Sequence, residues 1–574
     1  MKKLLISVIA ISGIMFAVPN NAYVTMPPDY TFQGKVIPYS GIRTSPGEIV
    51  GTTYMDWQYN GSCDKYIFWP TVSGGFHFYW TYMTAAGGST RRTYYNYFYP
   101  PDYWVGATQA DVAVSRMGAL ECLADGRALL TAHRTSGGVN RPTVYIDAAE
   151  GAGSFSLTEI PLGSLPPSDA PIWPKPCSDT MHGKIWVSGS QATAGVGWVT
   201  YSTDEGATWA DWVNTLGGVP LDENYFDAGG REVWVTSPNG KIALINNDGL
   251  YLDYHYWETT NSGASWTHNY VWQQNFPTDS VIGYIWCDGV YDNNNNLHVV
   301  FVCIDTIGGG SGGSGWRSLV RHWNQATGQV SLVASGWYEV TPGPGSNHPT
   351  VSEPQIGINR VTGDLYCTWC QADPNDVAQN GLANLDIWGA RSTDNGATWI
   401  EHHNITNSHT PGAPPGQCDD DRYQSLNSEV KDGGTDPDTL YLHYLNSKDA
   451  GGGYFPPDPG AVTTEDPYLF YAYPWHPGGV SENRVEKPRK LMLNVAPNPV
   501  KDKAVIAYTM PKSGDVKISL YSVDGRLVKA VEHGYRTAGD YRVSLDSREL
   551  ASGAYILVID TGNERISGKM VVTQ

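Results

Sequence analysis

The sequence predicts an all-β protein, a β-propeller of seven four-stranded blades (six if the first or last unit is shared or lies outside the ring) followed by a small antiparallel β-sandwich. Three observations carry this reading. An octapeptide recurs, as S-T-D-E-G-A-T-W at Ser202–Trp209, T-T-N-S-G-A-S-W at Thr259–Trp266 and S-T-D-N-G-A-T-W at Ser392–Trp399. Around it runs a longer unit with a period of roughly 50 to 65 residues, strand–turn–strand and then a second strand pair. The composition of 64 Gly, 36 Tyr and 21 Trp in 574 residues suits many short strands joined by tight turns.

Taken in order, the chain begins with an export signal. Lys2 and Lys3 precede an apolar run, Leu4–Val18, with a small residue at Ala22 as the cleavage point and Ala17 as the alternative. Residues 1–22 are read as signal peptide, 23–480 as propeller, 481–492 as linker and 493–574 as the sandwich. No later segment has the run of apolar residues that a membrane anchor needs.

The first halves of seven units are Asp64–Tyr82, Val112–His133, Cys177–Ser190, Glu232–Asn246, Tyr284–Ile304, Pro354–Gln371 and Gln424–Leu445. Second halves open at Thr93–Phe98, Thr143–Asp147, Gly197–Ser202, Leu252–Trp257, Arg317–Trp323, Asp386–Ser392 and Tyr468–Tyr473. A solenoid fits less well, because these units are long and irregular. Long connections between second and third strands, at Thr84–Ser89, Asp305–Gly315, Ala372–Asn384 and Ser447–Asp466, should crowd one rim, where binding is expected, although Asp305–Gly315, nearly all Gly and Ser, reads as a flexible connection only.

In the octapeptide, Asp204 or Asp394 accepts the backbone N–H groups of a turn and Gly206 or Gly396 supplies a positive φ. The corresponding residues of the weaker copy are Asn261 and Gly263, and Trp209, Trp266 and Trp399 fold back as apolar plugs. The motif resembles the Asp-box of sialidase-like (BNR repeat) propellers, where it is a structural turn away from the active site. The tail carries its own signature: L-N-V-A-P-N-P-V from Leu493, Tyr521 with Gly525-Arg526, Gly553-Ala554-Tyr555 and Lys569-Met570-Val571-Val572. It resembles the C-terminal sorting domain of the type IX secretion system. That resemblance implies contact with the secretion machinery, export across an outer membrane, and release or attachment at the cell surface, usually with removal of the tail.

Charge narrows the partners. From Arg484 onward there are 15 basic and 10 acidic residues, leaving 22 basic against 47 acidic in the rest. So acidic a body argues against nucleic acid. The arginine motif that opens sialidase propellers is not recognisable, since Tyr39–Pro46 holds Arg43 at a different spacing, so no catalytic residue is carried over. The sialidase resemblance would otherwise imply three arginines on the substrate carboxylate, a Tyr–Glu nucleophile pair and an Asp acid/base.

Candidate ligand-binding residues are Arg91, Arg92, Arg141 and Arg317, at or just before third strands, which could hold an anionic sugar; arginines simply solvated at strand starts are the favoured alternative. Acidic candidates near the starts of innermost strands are Asp111, Asp279, Glu353 and Asp421. No cofactor or metal is expected, except that Asp419-Asp420-Asp421 could offer oxygen ligands to structural calcium; a solvated acidic turn is the favoured alternative. Cys367-x-x-Cys370 reads as two faces of one strand, and Cys287 and Cys303 flank a hairpin turn that could let them pair. The functional expectation is a secreted or surface protein that binds extracellular glycan, with a sialidase-like glycoside hydrolase and a structural or adhesive protein as alternatives.

Overall fold

The computed structural model describes residues 36–37, 43–476 and 491–573, except 60–63, 85–90, 192–194, 228, 250–251, 275–280, 306–314, 339, 454–457, 497, 511–513, 537–538 and 563. The expected signal peptide, Asp279 and most of the linker lie outside these residues. The chain divides into two compact units, Met1–Gly479 and Val480–Gln574.

In the first unit the long sheets are built from antiparallel strand pairs, with one short parallel addition, Glu429–Val430, beside Val351–Asn359. Blade 1 is Ile67–Phe68, Phe76–Tyr82, Arg92–Tyr99 and Tyr103–Trp104; blade 2 runs from Ser115–Arg116 and Leu120–Cys122 to Phe155–Glu159. Blade 3 holds Ile172–Asp179, Lys184–Gln191 and Val196–Ser202, with Val199 bridged to Val213. Blades 4, 5 and 6 begin at Val233–Thr236, Val281–Tyr291 and Val351–Asn359. Blade 7 holds Asp420–Leu426, Asp438–Ser447 and Asp466–Trp475, and its outermost strand is Glu48–Thr53 from the start of the unit. The last blade is thus shared between the two ends of the unit.

The innermost strands follow one another around a closed ring. Leu120 N–H donates to Lys65 O (2.9 Å) between blades 1 and 2, and Thr131 Oγ1 to Pro174 O (2.6 Å) between 2 and 3. Ser188 Oγ donates to Glu232 (2.9 Å), Tyr254 Oη to Val302 O (3.0 Å) and Ser318 Oγ to Val351 O (2.9 Å). Gln355 Nε2 donates to Gln424 O (2.9 Å), and Tyr66 N–H to Ser425 Oγ (2.9 Å) brings blade 7 back to blade 1. Among the described residues, seven sheets of three to five strands that follow one another in a closed ring have the arrangement of a seven-bladed β-propeller. Aromatic side chains fill the gap between blades 7 and 1, where Phe76 meets Tyr441 at 4.7 Å and Phe98 meets Phe470 at 5.9 Å; Tyr95, Tyr97 and Phe98 belong to the core, whereas Tyr103 is exposed.

The recurrent octapeptide folds the same way three times. Ser202 Oγ donates to Asp204 Oδ1 (2.8 Å) and accepts Gly206 N–H (2.8 Å), while Asp204 accepts Thr208 N–H (2.8 Å) and Oγ1–H (2.6 Å). The copy at Ser392, Asp394, Gly396 and Thr398 has the same four distances. In the third copy Asn261 accepts Ser265 N–H at 2.9 Å, and Gly263 N–H donates to Thr259 Oγ1 at 2.8 Å. Gly206, Gly263 and Gly396 have φ of 82°, 82° and 81°. The tryptophans bridge blades: Trp266 of blade 4 meets Trp186 of blade 3 edge-on at 5.6 Å, and Trp399 of blade 6 meets His322 of blade 5 at 5.4 Å. Trp209 packs against the cluster of Ile185 and Val187.

The second unit pairs two antiparallel sheets, one of three strands and one of four, around Ile506, Ile518, Leu520, Leu557 and Met570. Asn498 clamps its last strand, donating to Lys569 O and accepting Val571 N–H, both at 2.8 Å. Gly525, with φ 84°, closes the turn in which Ser522 N–H donates to Arg526 O at 3.0 Å.

Candidate functional site

The innermost strands share a distortion at one end. Register shifts fall at Ile172/Lys175 in blade 3, Gly283/Cys287 in blade 5, Ser352/Gln355 in blade 6 and Arg422/Ser425 in blade 7. In blade 2 the strand is interrupted between Arg116 and Leu120. Each is a β-bulge, which bends the strand and re-aims a side chain. Met117, Trp173, Glu353 and Tyr423, one in each of blades 2, 3, 6 and 7, occupy the left-handed region with φ of 52°, 53°, 53° and 50°. All four are buried. Non-glycine residues there cost about 1–2 kcal/mol each, so a strain repeated at equivalent positions marks this end of the axis as built for something.

Charge collects at the same level. Arg91, Arg116, Arg231 and Arg422 are all fully buried. Arg422 pairs with Asp420 and donates to Pro344 O at 3.1 Å; Arg231 pairs with Asp227. Arg116 stands directly across from His133 on the neighbouring strand, and Ser115 N–H donates to Arg91 O at 3.1 Å. Burial, and then the charges of Arg116, Arg91 and Lys175, hold His133 well below the usual imidazole range, so it is neutral. Trp173 N–H donates to His133 Nδ1 at 3.3 Å, which places the ring proton on Nε2.

A second group lies within electrostatic reach of Arg422. Glu353 and His348 bond at 2.7 Å, His348 Nδ1 faces Ser346 O at 3.0 Å, and Cys370 Sγ–H donates to Glu353 at 3.1 Å. Burial pushes Glu353 up, but the charge and hydrogen bonds of His348 with the Cys370 bond outweigh it and hold Glu353 below the carboxylate range. The Tyr423 ring meets Tyr59 edge-on at 4.9 Å and His348 at 5.8 Å, and Trp286 lies 5.1 Å from His348. Tyr423 feels Arg422 and Glu353, yet burial dominates and raises its phenol well above the usual range.

Below this level the axis is lined with cross-ring ion pairs. Lys175 pairs with Asp64, and Lys65 reaches Asp288 at 2.6 Å. Burial lifts Asp64 to about 6 despite Lys175, and Glu232 to about 7.

Of the residues singled out in the sequence, the structure brings Arg91 and Glu353 to this end of the axis. Arg92 lies on the third strand of blade 1 and donates to Arg91 O at 2.9 Å; Arg141 faces Arg134 across a hairpin; Arg317 sits 3.7 Å from Asp305. Asp111 is held by Arg134 (2.7 Å) and Tyr145 (2.9 Å) within blade 2. Asp419, Asp420 and Asp421 are not a solvated turn: all three are buried, because the neighbouring blades close over their strand. Their carboxylates diverge, Asp419 to Lys448 (2.6 Å), Asp420 to Arg422, and Asp421 to Ser45, Ser408 and Asn446. Cys287 faces Phe301 and Cys303 faces Gly283, so the bulge in blade 5 puts the two out of register, and Cys287 keeps a free thiol. Cys367 and Cys370 lie in different core clusters, on opposite faces of their strand.

Sequence reasoning missed Arg116, His133, Trp173, Arg231, His348, Arg422 and Tyr423. The one available signal was an arginine at or near the start of the first strand in three units, in S-R-M-G, G-R-E and D-R-Y.

Residues 494–573 match the family described as secretion system C-terminal sorting domain. No curated protein matches the chain's sequence. Among solved structures, the chain is similar to an α-L-arabinanase of Penicillium chrysogenum complexed with arabinobiose (13% identity, 62% of this chain and 93% of that one, TM-score 0.37). It is also similar to the Hadza microbial sialidase Hz136 (12%, 67% and 73%, 0.35) and to the polysaccharide lyase Uly1 (11%, 78% and 100%, 0.41). At these identities and scores the likenesses carry no argument about activity. No helix among the described residues is long and apolar enough to cross a membrane. The tail is a sorting domain for the type IX secretion machinery, and the chain it ends is a protein secreted to the cell surface or beyond.

Proposed function

We propose that the propeller binds an anionic glycan at the bulged end of its axis. One observation carries this reading: the buried polar atoms left without a hydrogen-bond partner there include an excess of donors. His133 Nε2, Trp173 Nε1, Trp286 Nε1 and Arg422 Nε and Nη1 make no hydrogen bond. An unmade bond to a buried donor costs about 1–3 kcal/mol, and a carboxylated or sulfated sugar supplies the missing acceptors. Binding of uronate- or sialate-containing oligosaccharides over neutral ones on a glycan array is the expected result, and Trp173→Ala should weaken it about tenfold. Equal binding of neutral sugars, or unchanged affinity in the variant, would sink the idea.

A hydrolytic reading has one observation in its favour, the buried Glu353–His348 pair beside Tyr423 and Arg422. If it holds, Glu353→Gln abolishes release of fluorophore from an aryl sialoside or uronide while binding persists. Absence of turnover in the wild-type protein leaves a binding site.

A further inference from the structure

We propose that blade 4 carries a divalent-cation site made by Asp248, Asp253 and His255, of the zinc or manganese kind. The second and third strands of this blade, Ile242–Asn247 and Tyr254–Thr259, are joined on the same face of the ring as the bulged axial end. Asp248 and Asp253 flank that connection, and His255 follows one strand position inside it. One ligand atom from each of the three lies within 4.8 Å of the others, and all three residues are buried. His255 Nε2 stands 2.9 Å from Asp248 Oδ2. A cation about 2.1 Å from each donor needs them about 3.4 Å apart in tetrahedral geometry, a spacing that falls inside the 4.8 Å reach of the cluster.

Three features fit a cation better than a polar cluster closed on itself. Asn246 lies directly across from His255 on the neighbouring strand, which puts both side chains on one face of the sheet. It is fully buried, and its Oδ1 makes no hydrogen bond, while Nδ2 donates to Asp227 O at 3.1 Å and so fixes which end is oxygen. Strand register thus places a buried, unpartnered amide oxygen on the same sheet face as His255, where it can serve as a fourth donor. Second, the Asp253 carboxylate accepts the backbone N–H of Gln274 (2.6 Å) and the side-chain amide of Gln273 (3.5 Å), neutral donors that do not neutralise a buried carboxylate. Third, His255 Nδ1 lies 3.0 Å from His268 Nε2. With a cation on Nε2, His255 carries its proton on Nδ1 and donates it to His268, the orienting bond typical of a ligating imidazole. Tyr225 stands edge-on to both rings at 5.9 and 5.4 Å and holds the pair in place. Two carboxylates, an imidazole and an amide oxygen suit zinc or manganese rather than calcium, which takes oxygen alone.

The site reaches the axis through a short path. Asn246 is bonded to Asp227 O, and the Asp227 carboxylate pairs with Arg231. A bound cation therefore braces the segment that places Arg231, whatever the axial ligand proves to be.

The test uses the secreted full-length protein, stripped with chelator and titrated with Co2+ alone. One equivalent should bind with a visible d–d absorption, be displaced by Zn2+, and raise the melting temperature. Asp253→Asn and His255→Gln should each lose at least about tenfold in Co2+ affinity, with Asn246→Ala losing less. Near-UV circular dichroism identifies a variant that has misfolded, and the remaining variant then decides. Substoichiometric uptake by the wild-type protein, or wild-type affinity in the folded variants, overturns the proposal. The glycan readings are untouched by either result, since cobalt uptake is measured without glycan.

Discussion

The two faces of the propeller use polar side chains in opposite ways. On the face of the recurrent turns, Asp204 and Asp394 sit at the surface and spend their oxygens on N–H and hydroxyl groups within four residues. At the other end of the axis, Arg91, Arg116, Arg231, Arg422 and Glu353 are buried, and the groups around them come from five different blades. The first arrangement is satisfied by its own octapeptide. The second is assembled by the ring, and His133, Trp173, Trp286 and Arg422 there carry donors that make no hydrogen bond. Structural turns close their hydrogen bonds locally, whereas under the proposed function the axial donors are completed by the ligand.

Cutting one member from a buried pair should give the largest effect. Asp420→Ala strands the Arg422 guanidinium and is expected to lower stability by about 3–5 kcal/mol in denaturant unfolding. A loss below about 1 kcal/mol would mean that the axial end behaves like surface, and the contrast between the faces would collapse.

The turns are next, and they differ among themselves. A Cβ on Gly396 would meet the His322 ring at 2.0 Å, whereas at Gly206 it meets only Trp209 at 3.5 Å. Both glycines have positive φ, so alanine costs about 1–2 kcal/mol at each for the backbone. Gly396→Ala should add about 1–3 kcal/mol of overpacking. Equal melting temperatures for the two variants would show that the box of blade 6 does not press on blade 5.

Asp421 tests burial through pH. Its carboxyl is lifted to about 8 by burial, with the charges of Asp386 and Asp419 adding to the effect. A folded-state value above the unfolded one means that the stability is fully present below about pH 4 and is lost as pH rises through about 8. Asp421→Asn keeps the protonated shape and should outlast the wild type at pH 9 by at least about 1.4 kcal/mol, the worth of one pKa unit, with little difference at pH 5. A pH-independent difference would remove the electrostatic explanation. The smallest effect is expected at Ser392, whose hydroxyl accepts Gly396 N–H and donates to Asp394: Ser392→Ala should cost about 1 kcal/mol in thermal unfolding.

The turns were legible because all their partners lie within one stretch of eight residues; serine, carboxylate, glycine and tryptophan at fixed offsets dictate the geometry without help from the fold. The strand pairs were legible for the same reason, as was the tail, whose Asn498 clamp and Gly525 turn follow short motifs. The axial site was not. Arg116 and His133 stand 17 positions apart yet face each other through strand register, and nothing local distinguishes Arg116 from Arg92, which lies on a third strand. The bulges that carry Trp173, Glu353 and Tyr423 have no common sequence.

Composition, periodicity and turn chemistry by themselves determined an all-β chain of repeated four-stranded units with a distinct sorting tail, because strands and tight turns are settled by interactions over a few residues. Only the tertiary structure decided how the ring closes. Glu48–Thr53 has little strand signature, but the outer edge of Asp466–Trp475 needed a partner, and the start of the unit supplied it. The same closure buried Asp419, Asp420 and Asp421 and drew arginines from separate blades to one end of the axis. Burial of charge depends on what surrounds a residue in space, and a linear pattern carries that only after the chain has met itself.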